Sequence, residues 1–199
     1  AKNYDKLAFE ESLGLRYVSE FETSKLNKYN NLTVFDMGLG TGRNAEVLAR
    51  QNCKISGIDI SENMVKQCLD KLNKNSLGQI FISDLNEKIP LENNQFDLII
   101  CFRVIKYVKN WENIFSEANR LLKDCGVFLL EFANKTSIQS LGAPFSYYST
   151  FLLRDIENAG KKYGFKKNKI YGGSVLPLPI YRWTNANWSL KIVNKIENL

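Results

Sequence analysis

The sequence predicts an α/β fold built on a doubly wound, mostly parallel sheet. Short apolar runs typical of strands alternate with segments of helical periodicity between residues 32 and 133. The run Phe96–Cys101 is almost continuously apolar, as in a strand buried on both faces. A turn with glycine at every second position (Gly38, Gly40 and Gly42) joins the first strand to a helix. Such alternation favours a parallel sheet with right-handed crossovers and helices on both sides.

The elements are expected in a simple order. Residues 1–31 form one or two helices and a loop. Strands are predicted at 32–36, 54–59, 79–82, 96–101 and 127–132. Helices are predicted near 43–51, 61–72 and 111–122, the second of them capped by Ser61. After residue 133 the pattern loosens, and we expect a loop or lid at 134–149, a helix near 150–162 and a sixth strand from Gly164 through Tyr171.

Composition narrows the possible chemistry. The chain has 199 residues, four separated cysteines and no histidine, so we expect no metal site of the usual Cys/His kinds. The absence of histidine also excludes a Ser-His-Asp or Cys-His nucleophile and a histidine base. Chemistry in which a cofactor carries the reactivity remains open.

The cysteines also indicate the cellular compartment in which we expect the protein. We interpret all four as reduced, which predicts a cytoplasmic protein. The sequence shows no secretory leader and no apolar run long enough for a transmembrane segment.

Charge is unevenly distributed along the chain. Residues 1–150 contain 18 basic and 18 acidic residues, whereas residues 151–199 contain 9 and 3, so the net charge of +6 resides in the last quarter. A solvated basic face is the simpler interpretation. The alternative is attraction to an anionic substrate, a nucleic acid or a membrane surface.

Polar residues follow several strands at the edge where a doubly wound sheet binds ligands. Asp36 precedes the glycine turn, Asp59 ends the second strand, and Asp84 and Leu85 follow the third. A carboxylate at Asp59 suits a ribose diol, because it can accept two hydroxyl hydrogen bonds. Asp84 suits an adenine amine. The pair Ile60 and Leu85 could enclose the adenine ring, and Asp36 suits an ammonium group.

Several motifs in order resemble those of the class I S-adenosylmethionine-dependent methyltransferases. The run from Val34 to Gly42 looks like the first motif of that family, and Gly57 to Met64 is similar to its ribose-binding strand. Ile82 to Leu85 and Gln95 to Ile99 look like its adenine-binding and fourth-strand motifs. The turn Leu121 to Phe128 is similar to its Leu-Lys-Pro-Gly-Gly turn, with Asp124 and Cys125 in place of Pro and Gly. The resemblance covers about residues 30–133.

The resemblance implies a Rossmann-like fold with seven strands in three layers and S-adenosylmethionine as the cofactor. It implies a single domain over residues 1–199, with a helical cap at 1–31, a cofactor-binding core at 32–133, and an acceptor-side lid and C-terminal sheet at 134–199. The cofactor-binding residues transferred from it are Asp36, Gly38, Gly40, Gly42, Asp59, Ile60, Asp84, Leu85 and Phe102.

The sequence indicates less clearly which residues would bind the molecule that receives the methyl group. Arg103 and Lys106 follow the fourth strand and could orient an anionic small molecule as catalytic residues, although Lys106 could equally face solvent. The amino-directed DNA motif and the Pro-Cys nucleophile of cytosine methyltransferases are both missing, so a nucleic-acid substrate is disfavoured. Glu131, Asn134, Tyr147, Tyr148 and Arg182 are further candidates without assigned roles.

The leading hypothesis is methyl transfer from S-adenosylmethionine to an oxygen or nitrogen of a small molecule or glycan precursor, by in-line displacement. One alternative is an RNA or protein methyltransferase that uses the basic last quarter. Another is a catalytically silent module that only binds the cofactor. An NAD-dependent dehydrogenase would need the spacing Gly-x-Gly-x-x-Gly, which this turn lacks. The sequence does not indicate an oligomeric state.

Overall fold

The computed structural model describes residues 13–136 and 149–172, with side chains from residue 18 onward. The helices are α1 (Leu13–Leu26), α2 (Arg43–Ala49), α3 (Glu62–Lys71), α4 (Glu112–Leu121) and α5 (Leu153–Lys162). The strands are β1 (Thr33–Met37), β2 (Lys54–Asp59), β3 (Leu77–Ile82), β4 (Phe96–Cys101) and β5 (Leu122–Leu130). Short 3-10 turns occupy Lys74–Ser76 and Ile105–Tyr107.

The five strands form one parallel sheet in the order β3-β2-β1-β4-β5. This order reverses direction next to β1, as in a doubly wound fold, so the predicted fold class is confirmed. Of the seven strands that the resemblance implies, the described residues contain five. The predicted sixth strand is wrong for the part that is described, because residues 165–171 have no strand structure.

Two apolar clusters cover the two faces of the sheet and make the fold three-layered. Alternate residues of β1 and β4 point to opposite faces: Val34 and Leu98 enter one cluster, while Phe35 and Ile99 enter the other. The first cluster includes the helix residues Leu26, Ala45, Leu48 and Cys68, from α1, α2 and α3. The second includes Phe115, Ala118, Ile156 and Ala159, from α4 and α5.

Strand β5 begins earlier than the sequence predicts. Leu122 already pairs with Phe96, but the register then shifts and Val127 pairs with Leu98. Residues 123–126 therefore bulge from the edge of the sheet, and Cys125 there has a φ of 64°. The predicted strand started at Val127 because the polar run Lys123-Asp124-Cys125-Gly126 resembles an ordinary turn.

At the amino edge of the sheet, the Asp97 carboxylate ties three strands together. It accepts hydrogen bonds from the Thr33 backbone N–H at 2.9 Å and the Thr33 hydroxyl at 2.6 Å, and it forms an ion pair with Lys123 at 2.9 Å. Partial burial raises the pKa of Asp97, but hydrogen bonds from Lys123 and Thr33 outweigh it and hold the pKa below its ordinary value.

Asp97→Asn should therefore lower the free energy of unfolding at pH 7 by about 1–2 kcal/mol. Because the pKa is depressed in the folded state, this contribution is present above pH 4 and is lost as the pH falls. Urea unfolding at pH 7 and at about pH 2.5, below the ordinary pKa of an aspartate, measures it. Equal destabilisation at both pH values would show that the charge of Asp97 is unimportant.

Candidate functional site at the carboxyl edge of the sheet

The candidate site lies where β1, β2 and β4 end. Parallel pairing places Asp36 beside Gly57 of β2 and Ile100 of β4. Asp59 ends β2 opposite Ile82 of β3. The sheet therefore brings the carboxylates of Asp36 and Asp59 to the same edge, as the sequence predicts.

The glycine turn is hydrogen-bonded to β2. The backbone N–H groups of Gly38 and Leu39 both donate to the Ile58 carbonyl, at 2.8 and 3.0 Å. All three glycines have positive φ: 92° at Gly38, 54° at Gly40 and 79° at Gly42. The turn therefore uses the conformational freedom of glycine at each of these positions.

The three glycines differ in what surrounds them. A Cβ on Gly38 would lie 2.1 Å from a Val104 methyl group, and a Cβ on Gly42 would lie 2.4 Å from the Cys68 sulfur. At these two positions a side chain would overlap with the protein itself, so glycine is needed for internal packing. At Gly40 the nearest heavy atom would be 4.0 Å away, so this glycine faces open space into which a ligand can fit. The expected contact with a ligand is thus best supported for Gly40.

The turn fixes the Asp59 carboxylate. Its Oδ2 accepts the backbone N–H of Gly40 at 2.8 Å, and its Oδ1 accepts that of Ser61 at 2.9 Å. Each carboxylate oxygen has a second lone pair, so Asp59 can still accept two hydroxyl hydrogen bonds. The expected side-chain cap of α3 is wrong: Ser61 occupies the cap position, but its hydroxyl makes no capping hydrogen bond.

Asp36 is a buried acid, with 2% of its surface exposed. Burial, together with the negative charges of Asp59 and Glu22, raises the pKa of Asp36 to about 8, and the guanidinium of Arg103 only partly opposes this. A cation placed beside Asp36 would stabilise its ionised form. The chemistry of this group therefore fits a ligand ammonium.

The other predicted nucleoside contacts lie around the ends of β2, β3 and β4. Asp84 accepts the backbone N–H and the side-chain amide of Asn86, both at 2.8 Å. Ile60 is 70% exposed, whereas Leu85 is 8% exposed and Phe102 is half-buried. Ile60 therefore presents apolar surface that a ring could cover. These assignments stay predictions.

The chain after β4 makes a strained turn. Arg103 has a φ of 62°, which is uncommon for a residue other than glycine. Its Nε lies 2.9 Å from Oε1 of Glu22 on α1, in an ion pair. Lys106 follows in the 3-10 turn and is half-buried, so it does not simply face solvent. The turn thus holds both predicted acceptor-side residues, Arg103 and Lys106, near α1.

Sequence reasoning missed Glu22, the acidic centre of this region. Glu22 is 3% exposed and forms ion pairs with both Arg43, the first residue of α2, and Arg103. Arg43 also donates to the hydroxyl of Ser19. We call Glu22, Arg43, Arg103 and Glu131 the carboxyl-edge charge cluster. Local patterns cannot reveal it, because Glu22 and Arg103 are 81 residues apart.

Glu131, which follows β5, completes the cluster. Burial is the main cause that raises its pKa to about 8, followed by the charge of Glu22, while Arg103 and Lys106 oppose the shift. Burial likewise raises the pKa of Glu22. The cluster therefore holds two carboxyl groups whose pKa values burial raises above the ordinary value of a glutamate.

The structure describes only some of the remaining residues and features that the sequence predicts. Tyr147, Tyr148 and Arg182 lie outside the described residues. Within residues 13–136 and 149–172, Cys53, Cys68 and Cys101 are buried and Cys125 is exposed, and all four are free thiols. No helix in that part of the chain has the length and apolar character needed to cross a membrane.

Comparison with known proteins places this site in a family. Residues 35–130 match a family model described as a methyltransferase domain. A ubiquinone biosynthesis O-methyltransferase from Rickettsia bellii is 27% identical over 61% of this chain and 50% of its own length. A malonyl-[acyl-carrier protein] O-methyltransferase from Geobacter sulfurreducens is 27% identical over 56% of this chain and 42% of its own length. The chain thus spans about half the length of the curated relatives it matches.

Solved structures agree with this assignment at the level of the fold. A putative S-adenosylmethionine-dependent methyltransferase from Listeria monocytogenes superposes with a TM-score of 0.68 at 19% identity, over 82% of this chain and 88% of the other. The family model spans β2 to β5 in full and β1 from Phe35 onward, and it includes Asp36, Asp59 and the glycine turn. Residues 35–130 therefore match a methyltransferase domain in sequence, and the fold around them is that of the S-adenosylmethionine-dependent methyltransferases.

Proposed function

We propose that this protein transfers a methyl group from S-adenosylmethionine to an oxygen atom of a small, anionic acceptor. The observation that carries the proposal is the open position at Gly40, whose backbone N–H donates to the Asp59 carboxylate, at the edge of the sheet where Asp36 also lies. The curated relatives described above are named O-methyltransferases, which supports oxygen as the acceptor atom.

The chain's own residues fit the cofactor. Asp59 would accept the ribose hydroxyls, and Asp36 would bind the amino group of the methionine portion. Gly40 would allow the backbone to approach the ligand, because nothing in the protein fills the space that a side chain would take there. Ile60 and Leu85 would contact the adenine ring, and Asp84 its amine.

The sulfonium group of the cofactor supplies the leaving-group reactivity when it is bound. The protein then has to align the acceptor and keep water away from it. Arg103 and Lys106 would orient the acceptor, since both follow β4 at the edge of the sheet where Asp36 also lies. Arg43, Arg103 and Lys106 bring three positive charges to this region, and the raised pKa values of Asp36 and Glu131, both about 8, reduce the negative charge that opposes them near neutral pH. This balance favours an anionic acceptor.

S-adenosylhomocysteine, the demethylated product of the cofactor, should raise the melting temperature of the protein. At a hundredfold excess over the dissociation constant, the stabilisation is about 2.7 kcal/mol. Asp59→Ala should lose most of this shift, whereas the control substitution Glu157→Ala, at a half-buried position on α5, should keep it. A shift with NAD and none with S-adenosylhomocysteine would contradict the proposal.

The basic last quarter leaves RNA as a second candidate substrate. In the described part, Lys162 pairs with Glu112 at 2.5 Å and Lys167 with Glu157 at 2.6 Å. These pairs favour a solvated face over a free basic surface. A salt titration of RNA binding separates the two, because phosphate contacts give a steep loss of affinity with salt.

A further inference from the structure

The loop that joins β3 to β4 is fixed to α4 by side chains on one face of that helix. Nδ2 of Asn113 donates to the Leu85 carbonyl at 3.1 Å. Oε2 of Glu117 accepts the backbone N–H of Ile89 at 2.9 Å, and Arg120 donates to the Ile89 carbonyl at 3.0 Å. Asn113, Glu117 and Arg120 recur at intervals of four and three residues, so they lie on one face of α4. We call these three residues the polar stripe of α4.

Asn86 ties the Asp84 carboxylate to the same helix. Its backbone N–H and its side-chain amide both donate to Oδ1 of Asp84, each at 2.8 Å. The side-chain oxygen of Asn86 accepts the backbone N–H of Asn110, just ahead of α4, at 3.0 Å. Both bonds to Asp84 use Oδ1, and no described residue donates to Oδ2. The second oxygen of Asp84 therefore keeps its capacity to accept a hydrogen bond from a ligand.

These side chains order the first part of the loop. In the described part of the chain, the backbone of residues 84–92 forms no hydrogen bond with a backbone group outside the loop. The contacts with the polar stripe are shielded from water, since Glu117 and Ile89 are 6% and 1% exposed. Loss of such a contact leaves a buried polar group without a partner. The geometry of the loop therefore depends on α4.

The loop offers a ligand one acceptor and one donor. The acceptor is Oδ2 of Asp84, and the donor is the backbone N–H of Leu85, for which no described residue provides an acceptor. Adenine presents the complementary pair, an amine that donates beside a ring nitrogen that accepts. Hypoxanthine presents the reverse, a carbonyl oxygen that accepts beside a ring N–H that donates. A site that holds both groups of the loop in place should reject hypoxanthine.

We propose that Asn86 and Asn113 are positioning residues that make the nucleoside site selective for adenine over hypoxanthine. This rests on the function proposed above, and it specifies which base the site accepts. Both asparagines act through the residues that they hold: Asn86 fixes the carboxylate of Asp84, and Asn113 fixes the main chain at Leu85. The rest of the polar stripe anchors the loop beyond them.

Calorimetry on the whole chain tests this with S-adenosylhomocysteine and S-inosylhomocysteine, which differ only in that hypoxanthine replaces adenine. The unmodified protein should bind the adenine ligand about 100-fold more tightly. Asn86→Asp and Asn113→Asp each exchange an amide donor for an acceptor of almost the same size, and each should lower this ratio to about 10-fold or less. Asn119→Asp, at an exposed position of α4, is the matched control and should keep the ratio.

The ratio separates positioning from folding, because partial unfolding weakens the binding of both ligands equally. If both variants keep the ratio of the unmodified protein, whatever their affinities, the two asparagines have at most a structural role and the proposal is overturned. A ratio near one in the unmodified protein would overturn the selectivity itself. An unmodified protein that binds neither ligand would instead refute the proposed function.

Discussion

Asp36→Asn should make the free protein more stable at pH 8 and much weaker in binding the cofactor. The pKa of Asp36 is raised to about 8, so the folded state keeps a proton that the unfolded chain has already lost above pH 4. The free energy of unfolding therefore falls as the pH rises from 4 to 8, by up to about 1.4 kcal/mol per pH unit. Asparagine carries no titrating proton and removes this part of the slope.

Cofactor binding should show the opposite dependence. A ligand ammonium pairs with ionised Asp36, so binding releases the proton, and the affinity should rise by up to about tenfold per pH unit below pH 8. Asp36→Asn should bind about 10–100-fold more weakly, since a hydrogen bond to a charged group is lost. Calorimetry with S-adenosylhomocysteine at pH 6, 7 and 8 measures both effects. An affinity of the wild type that does not vary with pH would contradict the assignment of Asp36.

Alanine substitutions in the glycine turn should separate folding from binding. Gly42→Ala places a Cβ 2.4 Å from the Cys68 sulfur, and we expect a loss of about 2–4 kcal/mol from this overlap together with the positive φ. Gly40→Ala meets no protein atom closer than 4.0 Å, so only the cost of its φ remains, about 1 kcal/mol.

For ligand binding, the substitution at Gly40 should be the damaging one. Gly40→Ala should fold and yet lose most of its affinity for S-adenosylhomocysteine, because its methyl group enters the space assigned to the ligand. Urea unfolding measures stability, and calorimetry on the folded fraction measures binding. If Gly40→Ala binds as tightly as the wild type, the open side of the turn does not face the cofactor.

Much of the fold was predictable because its signals are local. Strand β4 matches its predicted bounds, Phe96–Cys101, since a run of apolar residues between polar loops has one simple interpretation. The cofactor residues Asp36 and Asp59 could be placed because a parallel sheet brings the ends of its strands to one edge. The strand predicted through Tyr171 failed because a strand requires a hydrogen-bonding neighbour, which a short sequence pattern cannot supply.

The acceptor side depends on contacts between distant parts of the chain. Glu22 lies on a polar helix and carries no motif, and its importance follows only from its burial against Arg43 and Arg103. Glu131 was visible as an acid after β5, but the charge of Glu22, which contributes to its raised pKa, comes from α1 at the other end of the described core. The positive φ of Arg103 likewise results from tertiary packing rather than from its residue type.

The most direct test of the central claim is a crystal structure of the protein with S-adenosylhomocysteine. We expect the ribose hydroxyls to donate hydrogen bonds to the Asp59 carboxylate and the amino group of the ligand to contact Asp36. The ligand should also lie close to the backbone of Gly40. The sulfur atom should face the end of β4, toward Arg103 and Glu131. A ligand bound away from the glycine turn, or bound with Asp59 uninvolved, would contradict the account.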